Sequence, residues 1–225
     1  MARFWTAAPI WQDQPCYIVG GGDSLRSFEW ESLRGRNVVG CNACCYMDPA
    51  LIPWIVFGDA SFCGKHKDAL EKYVAGGGNV VTSSAHFRKP QSRPPWLHVM
   101  LKQRVGLGRD RLGWNANTGA SAINLALLFG ANPIYLLGFD MQMRNGRANF
   151  HNAYHGKPNE KAYGRFLAGM KHVWADLAMV FPGRRVVNLE DGTSALTHVY
   201  PDLPRASLAE HFACEPVGSD HGTGI

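Results

Sequence analysis

Six short apolar runs, each four to six residues long and leaving on glycine or a polar residue, recur along this 225-residue chain. They are Cys16–Gly20, Asn37–Cys41, Trp54–Gly58, Asn79–Thr82, Pro133–Gly138 and Arg185–Leu189. Runs this short that stay apolar throughout, instead of alternating, suit strands covered on both faces. Helical segments lie between them. Ser24–Leu33 is a short one, Cys63–Ala75 stops on Gly76-Gly77-Gly78, and Ser121–Phe129 is apolar nearly all round. In Glu160–Val180 the residues Ala162, Phe166, Met170, Val173 and Leu177 recur at three or four positions and form one apolar stripe. Alternating strands and helices predict an α/β domain with a mostly parallel sheet and helices on both faces.

The length suits one domain over residues 1–213, followed by a loose tail at 214–225. Hydrophobic residues make up 46% and charged residues 18%, a globular balance that excludes a disordered or fibrous chain. No run approaches the roughly 18 apolar residues of a membrane span. Met1–Trp5 lacks a signal-peptide core, and the six cysteines have no framework-like spacing, so a cytoplasmic, reduced protein is expected. The charge excess is local. Residues 85–115 carry seven Lys/Arg (Arg88, Lys89, Arg93, Lys102, Arg104, Arg109, Arg111) against one acid, Asp110. This proline-rich segment with Phe87, Trp96 and Trp114 reads as an irregular insert or lid facing an anionic partner. A second polar stretch, 141–159, reads as a lid loop.

Four motifs carry candidate chemistry. Ile18-Val19-Gly20-Gly21-Gly22-Asp23-Ser24-Leu25 is a strand, a glycine turn and a helix start, a combination that brings backbone N–H groups close to a phosphate. It is not a dinucleotide fingerprint. The third glycine is missing, and Asn42 stands where an acid would hold a ribose, which disfavours hydride transfer. Asn115–Ser121 is a small polar run leading into the apolar helix, and it makes a second anion-receptive N-terminus with hydroxyls from Thr118 and Ser121. Asp140 follows a buried strand at the sheet rim, where it suits a metal, a ribose or a catalytic partner. Phe150–His155 places His151 and His155 in the lid loop. The His-x-x-x-His spacing suits zinc on a helix, but no Glu or third ligand lies at the right spacing, which favours a general base over a metal site. Cys41-Asn42-Ala43-Cys44-Cys45 reads as small buried residues at a strand end.

Taken in order, Ile18–Leu25, Gly40-Cys41-Asn42, Thr118-Gly119, Ile134–Asp140 and the histidine loop resemble the bacterial sialyltransferases that extend lipooligosaccharide. They also resemble the motility-associated and bacteriophage-encoded proteins that share the Rossmann-like core, and the style is closest to the phage-encoded members. The resemblance implies a nucleotide-sugar-dependent glycosyltransferase with a mobile lid. Gly21, Gly22 and Ser24 would then face the nucleotide phosphate, and Asn42 the nucleotide or leaving phosphate. Thr118 and Gly119 would approach the donor, and His155, or in second place His151, would deprotonate the acceptor hydroxyl. Tyr154 and Tyr163 are candidates for the departing phosphate, and Asp140 for a catalytic role. The family's Gly-Pro-Ser-Leu stands here as Gly22-Asp23-Ser24-Leu25, with an acid where a phosphate is expected. The phage relatives imply a modified DNA base as acceptor, reached through the basic segment 85–115, with a glycan as the other choice. Two other classes stay open: an ATP- and Mg²⁺-dependent (di)phosphotransferase acting on a heterocycle, as in the related archaeal-type pterin diphosphokinase, and a non-enzymatic phage structural or binding protein.

Overall fold

The computed structural model describes residues 4–154 and 160–213. Its centre is an eight-stranded sheet of β1 (Cys16–Val19), β2 (Val38–Cys41), β3 (Trp54–Phe57), β4 (Asn79–Thr82), β5 (Leu97–Val99), β8 (Ile134–Leu137), β9 (Val186–Glu190) and β10 (Arg205–Ser207). The order is β10-β9-β8-β1-β2-β3-β4-β5, and every pairing is parallel. This is the expected Rossmann-like α/β architecture. The order runs outward from β1 in both directions, so the chain reverses its winding between β1 and β8. That reversal opens a crevice at the carboxyl ends of those two strands.

Alternation along β1 assigns the two faces. Cys16 and Ile18 join one buried cluster with Val39, Ile134 and Leu136, while Tyr17 and Val19 join the other with Val38, Ile55 and Phe57. The first face is covered by α3 (Thr118–Leu128) and α4 (Glu160–Val180). The second is covered by α1 (Ala60–Lys65), α2 (Lys67–Ala75) and α6 (Leu208–Ala213), while α5 (Ala195–Val199) buries Leu196 on the α3 side. Residues Gly119–Leu127 of α3 are all buried, as its apolar composition requires.

Several elements differ from the sequence expectation. Ser24–Leu33 is not a continuous helix but two 3₁₀ turns, Asp23–Leu25 and Trp30–Leu33. The helix expected over Cys63–Ala75 begins earlier and breaks at His66 into α1 and α2. The helix expected at Ser121–Phe129 starts at Thr118, where Asn117 accepts the Gly119 and Ala120 N–H groups at 2.8 and 3.3 Å.

The largest difference concerns Ala85–Asn115, expected as an irregular lid. It is built into the fold. It supplies the edge strand β5 and the short pair β6 (Lys102–Gln103) and β7 (Leu112–Gly113), and it buries Phe87, Leu97, Val99, Met100, Leu107 and Leu112. Its return path is held by two amides and a carboxylate. Asn124, buried within apolar α3, accepts N–H groups of Gly108 and Gly113 at 2.9 and 2.7 Å and donates to the Gly108 carbonyl at 3.0 Å. Asn115 exchanges two bonds with the Gly106 backbone, and Asp176 of α4 accepts the Leu107 N–H at 2.8 Å. These bonds satisfy backbone groups that the loop would otherwise bury unpaired. The tail expected at 214–225 lies outside the described residues.

Replacing Asn124 with leucine keeps the apolar packing but orphans these backbone groups, at about 1–3 kcal/mol each. Asn124→Leu should therefore lower the denaturant midpoint and expose Arg104–Arg111 to trypsin before global unfolding. Unchanged cleavage would show that the clamp does not hold the segment.

Candidate active site

At the carboxyl ends of β1 and β8 lies a cavity of about 410 Å³. Its floor is Gly20-Gly21-Gly22 and Gly138-Phe139-Asp140. The glycines are there because two backbones approach closely. A Cβ at Gly20 would lie 2.6 Å from the Gly138 carbonyl oxygen, and one at Gly22 would lie 2.6 Å from the Asp140 carboxyl. The Gly22 N–H donates to the Gly138 carbonyl at 2.9 Å and closes the floor.

Asp140 is 5% exposed, and both of its carboxylate oxygens are engaged by one residue. The Ser24 N–H donates to Oδ2 at 2.9 Å, and the Ser24 hydroxyl donates to Oδ1 at 2.5 Å. Burial raises the carboxyl above its ordinary range, and the two Ser24 bonds pull it back. Ser24 therefore turns away from the cavity to hold Asp140, while Asp140 stays on the cavity wall. The acid in the glycine turn is also accounted for. Asp23 pairs with Arg26 at 2.6 Å and is not on the cavity wall, so its charge is neutralised beside the site.

The remaining predicted residues converge on the cavity. Asn42 lies at the exit of β2 with φ 48°, the left-handed region that asparagine tolerates better than most residues. Thr118 and Gly119 open α3 on the wall, and Tyr163 and Phe166 reach it from α4. The loop after Asp140 folds over the glycine turn. The Phe150 N–H donates to the Gly21 carbonyl at 3.1 Å, Tyr163 donates to the Ala148 carbonyl at 3.3 Å, and Phe150 packs on Trp30 at 5.0 Å. This docking brings His151 and Tyr154 onto the wall. The Tyr154 phenol faces the Asn42 side chain, and burial of its hydroxyl end pushes the phenol well above its usual range. His155 lies outside the described residues.

His151 is held neutral. Burial, and then the charge of nearby His66, pull the imidazole down to about 4. Its Nδ1 accepts the Ala153 N–H at 3.2 Å, so the proton of the neutral ring sits on Nε2, the nitrogen that faces Gly21. At neutral pH this side chain offers the cavity a hydrogen-bond donor.

Among the wall residues that sequence reasoning does not reveal are Asp59, His66 and Asn149. Asp59 follows the predicted strand Trp54–Gly58, so its position at a strand exit was a usable signal. His66 and Asn149 carried none, because one sits at a helix break and the other depends on loop docking. Among the described residues no group of three or more His, Cys, Asp or Glu side chains is placed to hold a metal ion. The Cys41-x-x-Cys44 thiols are raised by burial, Cys44 to about 12, which disfavours the reactive thiolate. No helix of the described residues is long and apolar enough to cross a membrane.

The chain is similar to the MAf glycosyltransferase from Magnetospirillum magneticum AMB-1, with a TM-score of 0.53 and 17% identity. The likeness is one of fold. It covers 85% of this chain but 34% of that one, so this chain spans about a third of the larger protein. No protein-family model and no curated protein sequence matches the chain.

A base held below its ordinary pKa leaves the folded chain with fewer protons than the unfolded chain between the two values. The contribution of His151 to stability is therefore complete above 6.5 and is lost as the pH falls towards about 4. Urea unfolding between pH 7 and 4 should show a shallower loss for His151→Gln than for the native chain. Parallel curves would place the ring in a solvated setting.

Proposed function

We propose that the chain is a glycosyltransferase that moves a sugar from a nucleotide-sugar donor to a hydroxyl acceptor. The observation that carries the reading is the cavity at the point where the sheet reverses its winding, walled by Asn42, Thr118, Gly119, His151 and Tyr154. Open α/β sheets place their ligands at this point, and the volume is within the range of small-ligand sites. The fold shared with a glycosyltransferase supports the same reading.

In this proposal the acceptor oxygen attacks the anomeric carbon, and a new C–O bond forms there. The bond from that carbon to the donor phosphate breaks, and its electron pair leaves with the nucleotide. His155 takes the hydroxyl proton, as the family resemblance implies, an effect typically worth about 10²–10⁴ in rate. Neutral His151 and Tyr154 donate hydrogen bonds to the departing phosphate, alongside the N-terminus of α3. The carboxylate of Asp140 positions the glycine turn through Ser24 and does not exchange protons with substrate.

Of the seven cations in residues 85–115, five (Arg88, Lys89, Arg104, Arg109 and Arg111) are exposed on the fixed edge segment. This basic surface supports the DNA-acceptor form of the proposal. A DNA acceptor bound there would give steep salt dependence, a slope of roughly −0.9 per neutralised phosphate. A flat response would exclude it.

The donor reading is tested by melting the protein against CMP, UDP, GDP and ADP and their sugar conjugates, with and without Mg²⁺. One nucleotide family at 100 times its dissociation constant should add about 2.7 kcal/mol, or roughly 5–10 °C. Asn42→Gly relieves the left-handed backbone but removes the amide, and it should weaken that nucleotide by about tenfold. A response to ATP alone that requires Mg²⁺ would favour phosphoryl transfer, and no response at all would favour a binding protein.

A further inference from the structure

The rim that carries the cavity continues beyond it. In the sheet, β4 and β5 lie outside β3, so their carboxyl ends prolong the same edge. Arg88 comes shortly after β4, and Lys102 shortly after β5. Trp114 joins this outer rim to the cavity. A Cβ added at Gly58, the exit of β3, would lie 3.2 Å from the Trp114 indole nitrogen and 3.4 Å from the Thr118 hydroxyl, and Thr118 is on the cavity wall.

Trp114 also fixes a cation. The Lys102 ammonium lies 4.1 Å from the centroid of the indole ring, whose face attracts positive charge. Burial, and then the charge of Arg88, lower this ammonium below its ordinary range, while Asp59 pulls it back. Among the described residues neither Arg88 nor Lys102 forms an ion pair with a carboxylate. Holding two like charges together in a half-buried setting is unfavourable, and an anion bound between them offsets that cost.

The position says which anion. The pair stands at the exits of β4 and β5, on the far side of Trp114 from the glycine turn after β1, so it lies off the place proposed for the donor phosphate. Lys89, Arg104, Arg109 and Arg111 are exposed on the same segment, more cations than one phosphate engages. A cavity of about 410 Å³ that also holds the donor does not admit a duplex, so an acceptor base must leave its stack to reach it. We propose that Lys102, held by Trp114, and Arg88 form the phosphate subsite for an acceptor DNA that enters the crevice as a single strand with its target nucleotide unstacked. The proposal rests on the DNA-acceptor form of the reading above.

The test is fluorescence anisotropy with a labelled single strand of about 12 nucleotides and with the same sequence as a duplex. It would be recorded on the native chain, Arg88→Gln, Lys102→Met and Lys171→Gln, the last removing one exposed charge from α4. Nucleotide melting shifts would be measured in parallel. Arg88→Gln lies on the surface and carries the test if Lys102→Met folds poorly.

The expected result is tighter binding of the single strand than of the duplex. Arg88→Gln and Lys102→Met should each weaken the strand about threefold or more and lower its salt slope by roughly 0.7, while Lys171→Gln changes neither. Nucleotide shifts should be the same in all four proteins. Strand binding indifferent to both substitutions, an equal loss in Lys171→Gln, or a preference for duplex would overturn the proposal. So would a loss of nucleotide shifts in the two rim variants, which would assign these cations to the donor, or a native chain that responds to nucleotide and binds no strand. A native chain without nucleotide shifts would strike the donor reading instead, and strand binding sensitive to Arg88 and Lys102 would then still support this subsite.

Discussion

The bond pair between Ser24 and Asp140 joins the two halves of the fold at the point where they part. β1 winds towards one edge of the sheet and β8 towards the other, and the clamp ties the loop after each strand to its neighbour. The Asp140 carbonyl also accepts the Ala195 N–H at 2.8 Å, so the start of α5 is fixed to the same residue. A buried carboxylate is costly unless its oxygens are satisfied, and here one serine satisfies both. Gly22 has no side chain because the carboxyl occupies that space. The glycine turn is thus shaped by the protein before any ligand arrives. The cavity beside it is preorganised, and the loop carrying His151 and Tyr154 can dock on a fixed floor.

A second constraint acts on the far side of α3. The long excursion 85–115 would bury unpaired backbone if it ran free, and Asn115, Asn124 and Asp176 take up those groups. A different amide, Asn117, holds the start of α3 in place, donating to the Phe166 carbonyl of α4 at 3.0 Å while capping Gly119. Helix α4 joins the two arrangements, since its Asp176 binds the insert and its Phe166 carbonyl binds Asn117. The conformational cost of ordering a segment this long is met by hydrogen bonds and by buried apolar side chains, among them Leu107 and Leu112.

The parts of this arrangement visible in the sequence were those with local signals. Short apolar runs with glycine or polar exits marked six strands of the parallel sheet to within a residue or so, and the regular stripe marked α4 at its observed ends. Gly21, Gly22, Asn42, Thr118, Gly119, Asp140, His151 and Tyr154 all reach one cavity, since the exits of parallel strands share one rim. Strands β5 and β10 were missed because three residues at a sheet edge carry too little periodicity. The order of the insert was not legible because its stabilising bonds come from outside it, from Asn124 inside an apolar helix and from Asp176 on α4. Ser24 was placed towards phosphate because nothing local reveals that a carboxylate more than a hundred residues later takes its N–H and hydroxyl.

The central claim is that the crevice between β1 and β8 receives a nucleotide. Hydrogen–deuterium exchange with and without the nucleotide that raises the melting temperature tests it most directly. The account predicts slowed exchange at Val19–Asp23, Asn117–Ala120, Gly138–Gln142 and Asn149–Tyr154. Protection confined to residues 85–115, or absent from all four segments, would contradict it.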